Sequence, residues 1–561
     1  MTDTVLLLLQ ETIQLAESCK DRGNQEYSKQ NYKEAISSYS KGVVAIGEYL
    51  QQHVGGGGGV VVDGEKEDEN MTRLKKLASQ LYCNRAVSWL NAPAQLKNYQ
   101  EALDDAKKSI SFDDTFAKAY LRMAESLIGL DCYKEAKDAY LQCIRRIAVD
   151  PNDKTANAHN TLLTQATNGL NNSKMKMFYE PILTEKPDHY GKIELRYTDE
   201  IRRKSLFARC DVKKGDVVFT DTDLYANIKS PSLDINTYQR LFCDHCMGQL
   251  PKVSETETAE KVVLCKYGCT RIMIGSNTVD TTKYCSEKCR DDAWDEYHCQ
   301  ECGSMSQPQA GELDVVSRVH GITEYRKMVH GVPTEASLLL AERIIAIIST
   351  KLKKGHVKNC NLALGKLQHL RRDPLMQIQK SFNGNNLEEL QNQYKPLLAF
   401  LKQSYGIKLT SLDTIQYKSD NKILIEELEK LFSNKFYDEI LGLINYNSIS
   451  TFVYGEETVI NTGAKNKKMQ PKLRQYCLGS ALIPIFACLN HSCAPNIEMG
   501  REQRDGVTKA IAVMIAKQDI KKGQELLTSY IDESNPFKDR QSILSSQYGF
   551  TCNCNKCSKR R

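Results

Sequence analysis

The sequence predicts a multidomain α+β protein, in which an N-terminal α-helical repeat solenoid precedes a β-rich domain split by a cysteine-rich module and by a helical insertion. Three observations predict it. A Tyr-x-Glu-Ala string recurs at Tyr32, Tyr99 and Tyr133 within helical periodicity. Eight cysteine and histidine residues fall in four close pairs between Cys243 and Cys302. Strand, glycine-turn and strand patterns flank that cluster, and residues 311–445 are rich in Leu, Ile, Lys and Gln at helical spacing.

Length and composition bound the rest. A chain of 561 residues has room for roughly three to five domains. The net charge of +6 arises from 76 basic and 70 acidic residues spread along the chain, which gives no electrostatic case for direct nucleic-acid binding. The apolar run Val5–Leu9 is too short for a signal segment or a membrane span, and Asp3 stands where a signal would be basic. An intracellular protein, cytoplasmic and/or nuclear, monomeric and without a membrane partner, is expected. Its 20 cysteines then point to metal ligation over disulfides.

Taken in order, the repeats come first. Tyr99 and Tyr133 lie 34 residues apart, matching the roughly 34-residue tetratricopeptide helix-turn-helix unit. Tyr32 and Tyr99 lie 67 apart, one repeat plus an insertion, which is visible as Gly55–Gly59 followed by an acidic stretch. Glycine runs cannot hold a helix, so residues 51–72 are expected as a mobile loop. Small residues at Gly23, Ala35, Ala86, Ala102, Ala119, Ala124 and Ala136 suit close helix packing. The solenoid is placed at 12–150 and a linker at 151–188.

Lys20-x-x-x-Asn24, Asn84 and Lys118-x-x-x-Arg122 resemble the carboxylate-clamp class of these repeats. That resemblance implies a groove that grips the C-terminal peptide of Hsp70 or Hsp90 chaperones. The i, i+4 spacing puts each pair on one helix face, where cations and amides hold carboxylates by charge-assisted hydrogen bonds. The alternative is a set of solvated charges and helix-packing amides.

The four pairs are Cys243 and Cys246, Cys265 and Cys269, Cys285 and Cys289, and His298 and Cys302. Eight ligands suit two tetrahedral zinc ions. Tyr284-Cys285-Ser286-Glu287-Lys288-Cys289, with Trp294 and Tyr297, resembles the MYND zinc finger. The resemblance implies interleaved sites, Cys243, Cys246, Cys285 and Cys289 on one zinc and Cys265, Cys269, His298 and Cys302 on the other, and a module that binds a partner peptide. Cys299 is a spare thiol able to compete with His298.

Farther on, Leu489-Asn490-His491-Ser492-Cys493-Ala494-Pro495-Asn496 is followed by Glu525-Leu526-Leu527-Thr528-Ser529-Tyr530 and by Cys552, Cys554 and Cys557. These pieces, in this order, resemble the C-terminal half of the SET domain of the SET and MYND family of protein-lysine methyltransferases. The N-terminal half is expected at 189–242, where Lys204–Ala208 and Val217–Phe219 read as strands about the Gly215 turn. The finger then spans 243–302, the helical insertion 303–445, the second half 446–535 and the closing zinc segment 536–561.

The resemblance implies S-adenosylmethionine as cofactor and methylation of lysines in histone and/or non-histone proteins. It places Tyr530 at the methyl-transfer point, with Tyr548 as a second catalytic wall and Phe550 beside it, Tyr548 being otherwise plain core. Asn447, Asn490, His491, Tyr530 and Phe550 are implied to contact the cofactor. Cys493, Cys552, Cys554 and Cys557 are implied to hold a third zinc. The chain stops soon after that site, so the C-terminal helical domain of many family members is not expected. Relatives carry glycines where this chain has Arg203-Lys204-Ser205, and side chains there are expected to narrow the cofactor pocket. The rival expectation is a non-catalytic adaptor that uses the repeats and the finger for binding on an inactive scaffold.

Overall fold

The computed structural model describes residues 3–53, 65–147, 156–198, 204–221, 224–229, 242–248, 250, 262–272, 279–302, 315–329, 335–375, 387–406, 419–456, 473–500 and 512–559. The chain divides into two compact units, Met1–Glu185 with Leu195–Ser205, and Lys186–Glu194 with Leu206–Arg561.

The first unit is a run of helices: α1 (Asp3–Ser28), α2 (Tyr32–His53), α3 (Glu65–Asn91), α4 (Tyr99–Phe112), α5 (Ala117–Gly129), α6 (Tyr133–Ile147) and α7 (Ala156–Glu185). Each packs on the next in the manner of stacked tetratricopeptide hairpins. Apolar residues at helical spacing build the core: Leu9, Ile13 and Ala16 of α1 meet Tyr39, Val43 and Ile46 of α2 and Leu74, Leu77 and Leu81 of α3. Gly23 permits the close approach of Tyr39, because a Cβ there would lie 2.3 Å from the ring. Asn98 caps α4, its side chain accepting from the Gln100 and Glu101 backbone N–H groups.

Two expectations shift. Residues 151–188, read as a linker, contain the 30-residue α7. Its Leu162, Ala166 and Leu170 recur one helical turn apart and join Ala136, Ala139, Tyr140 and Cys143 of α6 in one core. Intervening Asn and Thr residues dilute that stripe in the sequence. The glycine run 55–59 lies outside the described residues, but of the loop expected at 51–72, residues 51–53 belong to α2 and 65–72 to α3.

In the second unit, three-stranded antiparallel sheets form from β3 (Val217–Asp221), β13 (Ala512–Ala516) and β12 (Ile497–Met499), and from β4 (Ala226–Lys229), β10 (Leu473–Leu482) and β9 (Ser448–Glu456). The short strands β11 (Asn490–His491) and β14 (Leu527–Thr528) pair in parallel. A separate ribbon joins β1 (Ile193–Tyr197) to β2 (Lys204–Ala208), the β2 strand and the Gly215 turn falling where the sequence placed them.

The two halves of this unit, some 300 residues apart in sequence, are stitched by two pentapeptides that differ only in Val for Ile: Asp211-Val212-Lys213-Lys214-Gly215 and Asp519-Ile520-Lys521-Lys522-Gly523. Val212 bridges Ile520. Each aspartate accepts from the other copy: Asp519 from the Lys214 N–H at 3.0 Å and Lys213 Nζ at 3.1 Å, Asp211 from the Lys522 N–H at 2.9 Å and Lys521 Nζ at 2.8 Å. Gly215 and Gly523 close the copies at φ +88° and +82°, values that suit glycine.

The finger carries β5 (Val263–Leu264), β6 (Thr270–Ile272), β7 (Val279–Thr281), β8 (Lys283–Tyr284) and the helix Glu287–Ala293, capped by Ser286 accepting from the Cys289 N–H. The insertion is helical, as expected. Its helix Glu335–Lys353 grips the finger: Arg343 donates to both Glu301 oxygens at 2.8 and 3.2 Å and lies 3.8 Å over the Tyr297 ring. Lys353 adds a bond to Gln300 at 2.7 Å.

Candidate functional site

The site begins with a buried carboxylate. Asp221, at the end of β3, is fully buried and accepts from the Tyr190 hydroxyl and from the Ile485 and Phe486 N–H groups, each at 2.8 Å. This fixes the short helical turn Phe486–Cys488 that delivers Leu489, Asn490 and His491. Downstream, Asn496 donates to the Glu525 carbonyl at 2.8 Å and accepts from the Leu527 N–H at 2.8 Å, so the two motif segments run side by side.

His491 faces Tyr530 and Cys493 together. The Tyr530 N–H donates to His491 Nδ1 at 3.0 Å, which leaves the ring proton on Nε2, 3.2 Å from Cys493 Sγ. Burial, with Arg540 adding to it, pushes the imidazole down to about 4, so the ring is neutral at pH 7. The Tyr530 hydroxyl donates to the Leu489 carbonyl oxygen at 2.6 Å. Burial and the neighbouring Tyr548 raise its pKa, so it stays protonated.

Around Tyr530 the rings close in, Tyr548 at 5.0 Å and His491 at 5.2 Å between centroids, with Phe550 5.9 Å from His491 and 6.5 Å from Tyr548. Tyr530, Tyr548, Phe550 and His491 are therefore one cluster. Its oxygens and ring faces suit a sulfonium and an ammonium, both cations that lose water on entry. Asn490 donates to Glu525 Oε1 at 3.1 Å. Asn447 is buried at the end of the helix Asn434–Asn447, its amide nitrogen donating to the Arg371 and Leu443 carbonyls at 2.7 Å each.

Among the described residues, three groups of four ligand atoms are close enough to hold a metal ion, the atoms of each within 4.8 Å of one another: Cys243, Cys246, Cys285 and Cys289; Cys265, Cys269, His298 and Cys302; and Cys493, Cys552, Cys554 and Cys557. The sulfur separations of 3.5 to 3.9 Å, such as Cys285 to Cys289, Cys265 to Cys302 and Cys493 to Cys552, can be compared with a tetrahedral edge. Zn–S bonds of about 2.3 Å give an edge of roughly 3.8 Å, so the donor sets fit. His298 Nε2 lies 3.3 Å from Cys265 Sγ and 3.2 Å from Cys269 Sγ, while Cys299 is in none of the groups.

A family model for the SET domain matches residues 203–531, more than half of the chain. The chain belongs to the SET domain family. Mouse protein-lysine N-trimethyltransferase SMYD5 is 25% identical over 405 residues, 65% of this chain and 86% of that protein. Histone-lysine N-methyltransferase ATXR2 of Arabidopsis thaliana is 29% identical over 300 residues, 49% of this chain and 60% of that protein. Protein-lysine N-methyltransferase SMYD4 of Pongo abelii is 22% identical over 600 residues, 96% of this chain and 66% of that protein.

The SET domain holds residues that sequence reasoning missed. Arg371, from the helical insertion, stacks 4.0 Å from the Tyr446 ring and donates to the Tyr548 carbonyl at 3.2 Å, and Asn445 donates to the Gln547 carbonyl at 2.8 Å. Arg371, Asn445 and Asp221 act through backbone partners brought together by folding, and no local motif marks them, whereas Glu525 opens the Glu525–Tyr530 motif and accepts from the Asn490 side chain. In β2, Lys204 and Ser205 are both buried, Ser205 Oγ lying 3.2 Å from Thr198 Oγ1; Arg203 lies outside the described residues.

In the helical unit, the clamp positions converge in part. Asn24 Oδ1 accepts from the Asn84 amide at 3.1 Å and from the Tyr39 hydroxyl at 2.8 Å. Lys20 donates to Gln80 at 3.0 Å, and Arg122 pairs with Glu125 at 2.7 Å. Lys118 is exposed one turn before Arg122 on α5.

Proposed function

We propose that this SET domain transfers the methyl group of S-adenosylmethionine to the ε-amine of lysine in a protein substrate, histone or non-histone. One observation carries the reading: Tyr530 is fixed at both ends, its N–H on His491 and its hydroxyl on Leu489, inside a wall of Tyr548 and Phe550. Bound there, the cofactor supplies a methyl group already made electrophilic by its sulfonium.

The residues present do the rest. At pH 7 only about one lysine in 2,500 is neutral, given a solution pKa near 10.4. Aromatic walls strip water from the entering ammonium and favour the neutral amine. The Tyr530 hydroxyl has given its hydrogen to Leu489, so its oxygen keeps lone pairs that orient the amine hydrogens. Fixed alignment of the amine lowers the barrier. Calorimetry with S-adenosylmethionine tests this first: absence of binding by metal-loaded protein would leave the adaptor role instead.

The three ligand groups are assigned to zinc, two in the finger and one closing the channel at Cys493. The finger is assigned a partner peptide. The groove of Lys20, Asn24, Asn84, Lys118 and Arg122 is assigned the acidic C-terminal peptide of an Hsp70 or Hsp90 chaperone, which would bring client proteins to the enzyme. Glu125 must release Arg122 for this, breaking a half-buried ion pair whose side chains are 21% and 35% exposed. A protein carrying Lys118→Ala and Arg122→Ala is expected to lose binding of such a peptide in fluorescence anisotropy, and unchanged binding refutes the clamp.

A further inference from the structure

Arg540 heads the largest fully buried side chains among the described residues, with 1% exposure, and beyond lowering the His491 pKa the chemistry above gives it no part. It stands on the helix Phe537–Ile543, behind the Cys493, Cys552, Cys554 and Cys557 group. Its Nη2 lies 3.7 Å from Cys557 Sγ, and its Nη1 donates to the Asn535 carbonyl oxygen. Burial works against its charge, and the neighbouring Cys557 and Cys493 sulfurs work in its favour.

A guanidinium out of water needs negative charge within reach. Four thiolates around one divalent ion leave a surplus of negative charge, and this is what Arg540 meets once the metal is in place. Outer hydrogen bonds of this kind orient ligand atoms and tune metal affinity. Cys493 has an outer contact of its own, from His491 Nε2 at 3.2 Å.

We infer that Arg540 is a positioning residue of this metal site: it balances the charge of the loaded thiolate cluster, aims the sulfurs of Cys557 and Cys493, and slows loss of the ion. The inference rests on the zinc assignment, and its test separates the two. Full-length wild-type protein should carry three zinc equivalents; if it carries two, the zinc assignment fails. Arg540→Met should lose one equivalent to a chromogenic chelator about tenfold faster or more, with the two finger equivalents unchanged.

In cobalt-loaded protein the thiolate-to-metal charge-transfer band should shift in Arg540→Met and return toward wild type in Arg540→Lys. That is a readout a filler of space would not move. Should Arg540→Met fail to fold, Arg540→Lys and Arg540→Gln are compared in the same two assays, the lysine keeping the charge and the glutamine dropping it. Wild-type release and an unmoved band in the neutral variant overturn the inference.

Discussion

At Tyr530, three contacts set the chemistry: its N–H is held by His491, its hydroxyl by Leu489, and its ring by Tyr548. Replacing Tyr530 by Phe removes the oxygen and keeps the ring. Turnover is expected to fall by about 10²-fold or more, with cofactor affinity little changed, as measured by single-turnover kinetics and calorimetry. Glu525→Gln tests the brace on Asn490. The Nδ2 donor keeps a neutral acceptor, so cofactor affinity should weaken by roughly tenfold at most, and a larger loss would mean that the carboxylate itself touches the cofactor. These residues announce themselves unequally in the sequence. Asn490, His491 and Tyr530 sit in motifs, whereas Arg371 and Asp221 hold main-chain atoms far along the chain and carry no local signature.

Among the elements, the helix Glu335–Lys353 binds the finger to the rest of its unit through an ion pair whose side chains are 4% and 3% exposed. Glu301→Ala leaves Arg343 buried without that partner. Such losses cost about 3–5 kcal/mol, and chemical denaturation should show it in the second unit. The reciprocal pentapeptides are a different case. Their lysine–aspartate pairs lie on the surface and contribute little. The glycines matter more: Gly523→Ala imposes a left-handed conformation on a residue with a Cβ, for a loss of about 1–2 kcal/mol. Asp519→Asn should cost less than that, and the order of the two by thermal melting checks the argument.

For the whole chain, the two compact units differ in what stabilises them. The helical unit buries apolar stripes, while three ligand groups stand in the other. Structural zinc sites contribute on the order of 10 kcal/mol or more to small modules. A strong chelator should therefore abolish the folding transition of the second unit at room temperature and leave the helical unit melting as before. Differential scanning calorimetry reads this directly; a chelated protein that keeps both transitions refutes it.

In the sequence the ligand residues stand out, because ligand types in short pairs are local facts, while their grouping came from the family resemblance; the twelve fall into three groups as that resemblance implied. The sequence by itself also determined the helical repeats up to α6, where the 34-residue period is legible, and the motif halves of the SET domain. Only the tertiary structure decided that α7 completes the solenoid, since its apolar stripe is diluted by polar residues and reads clearly only against the face of α6. The fold also settles the competition from the spare thiol: His298 joins the second ligand group and Cys299 does not, because helical geometry after Trp294 turns one of two adjacent side chains inward. It also brought Asp211 to Lys522 and Arg540 to Cys557, contacts between residues whose meeting depends on the path of the chain. Local chemistry is written in the order of residues; reciprocity and charge balance arise where the fold makes distant ones neighbours.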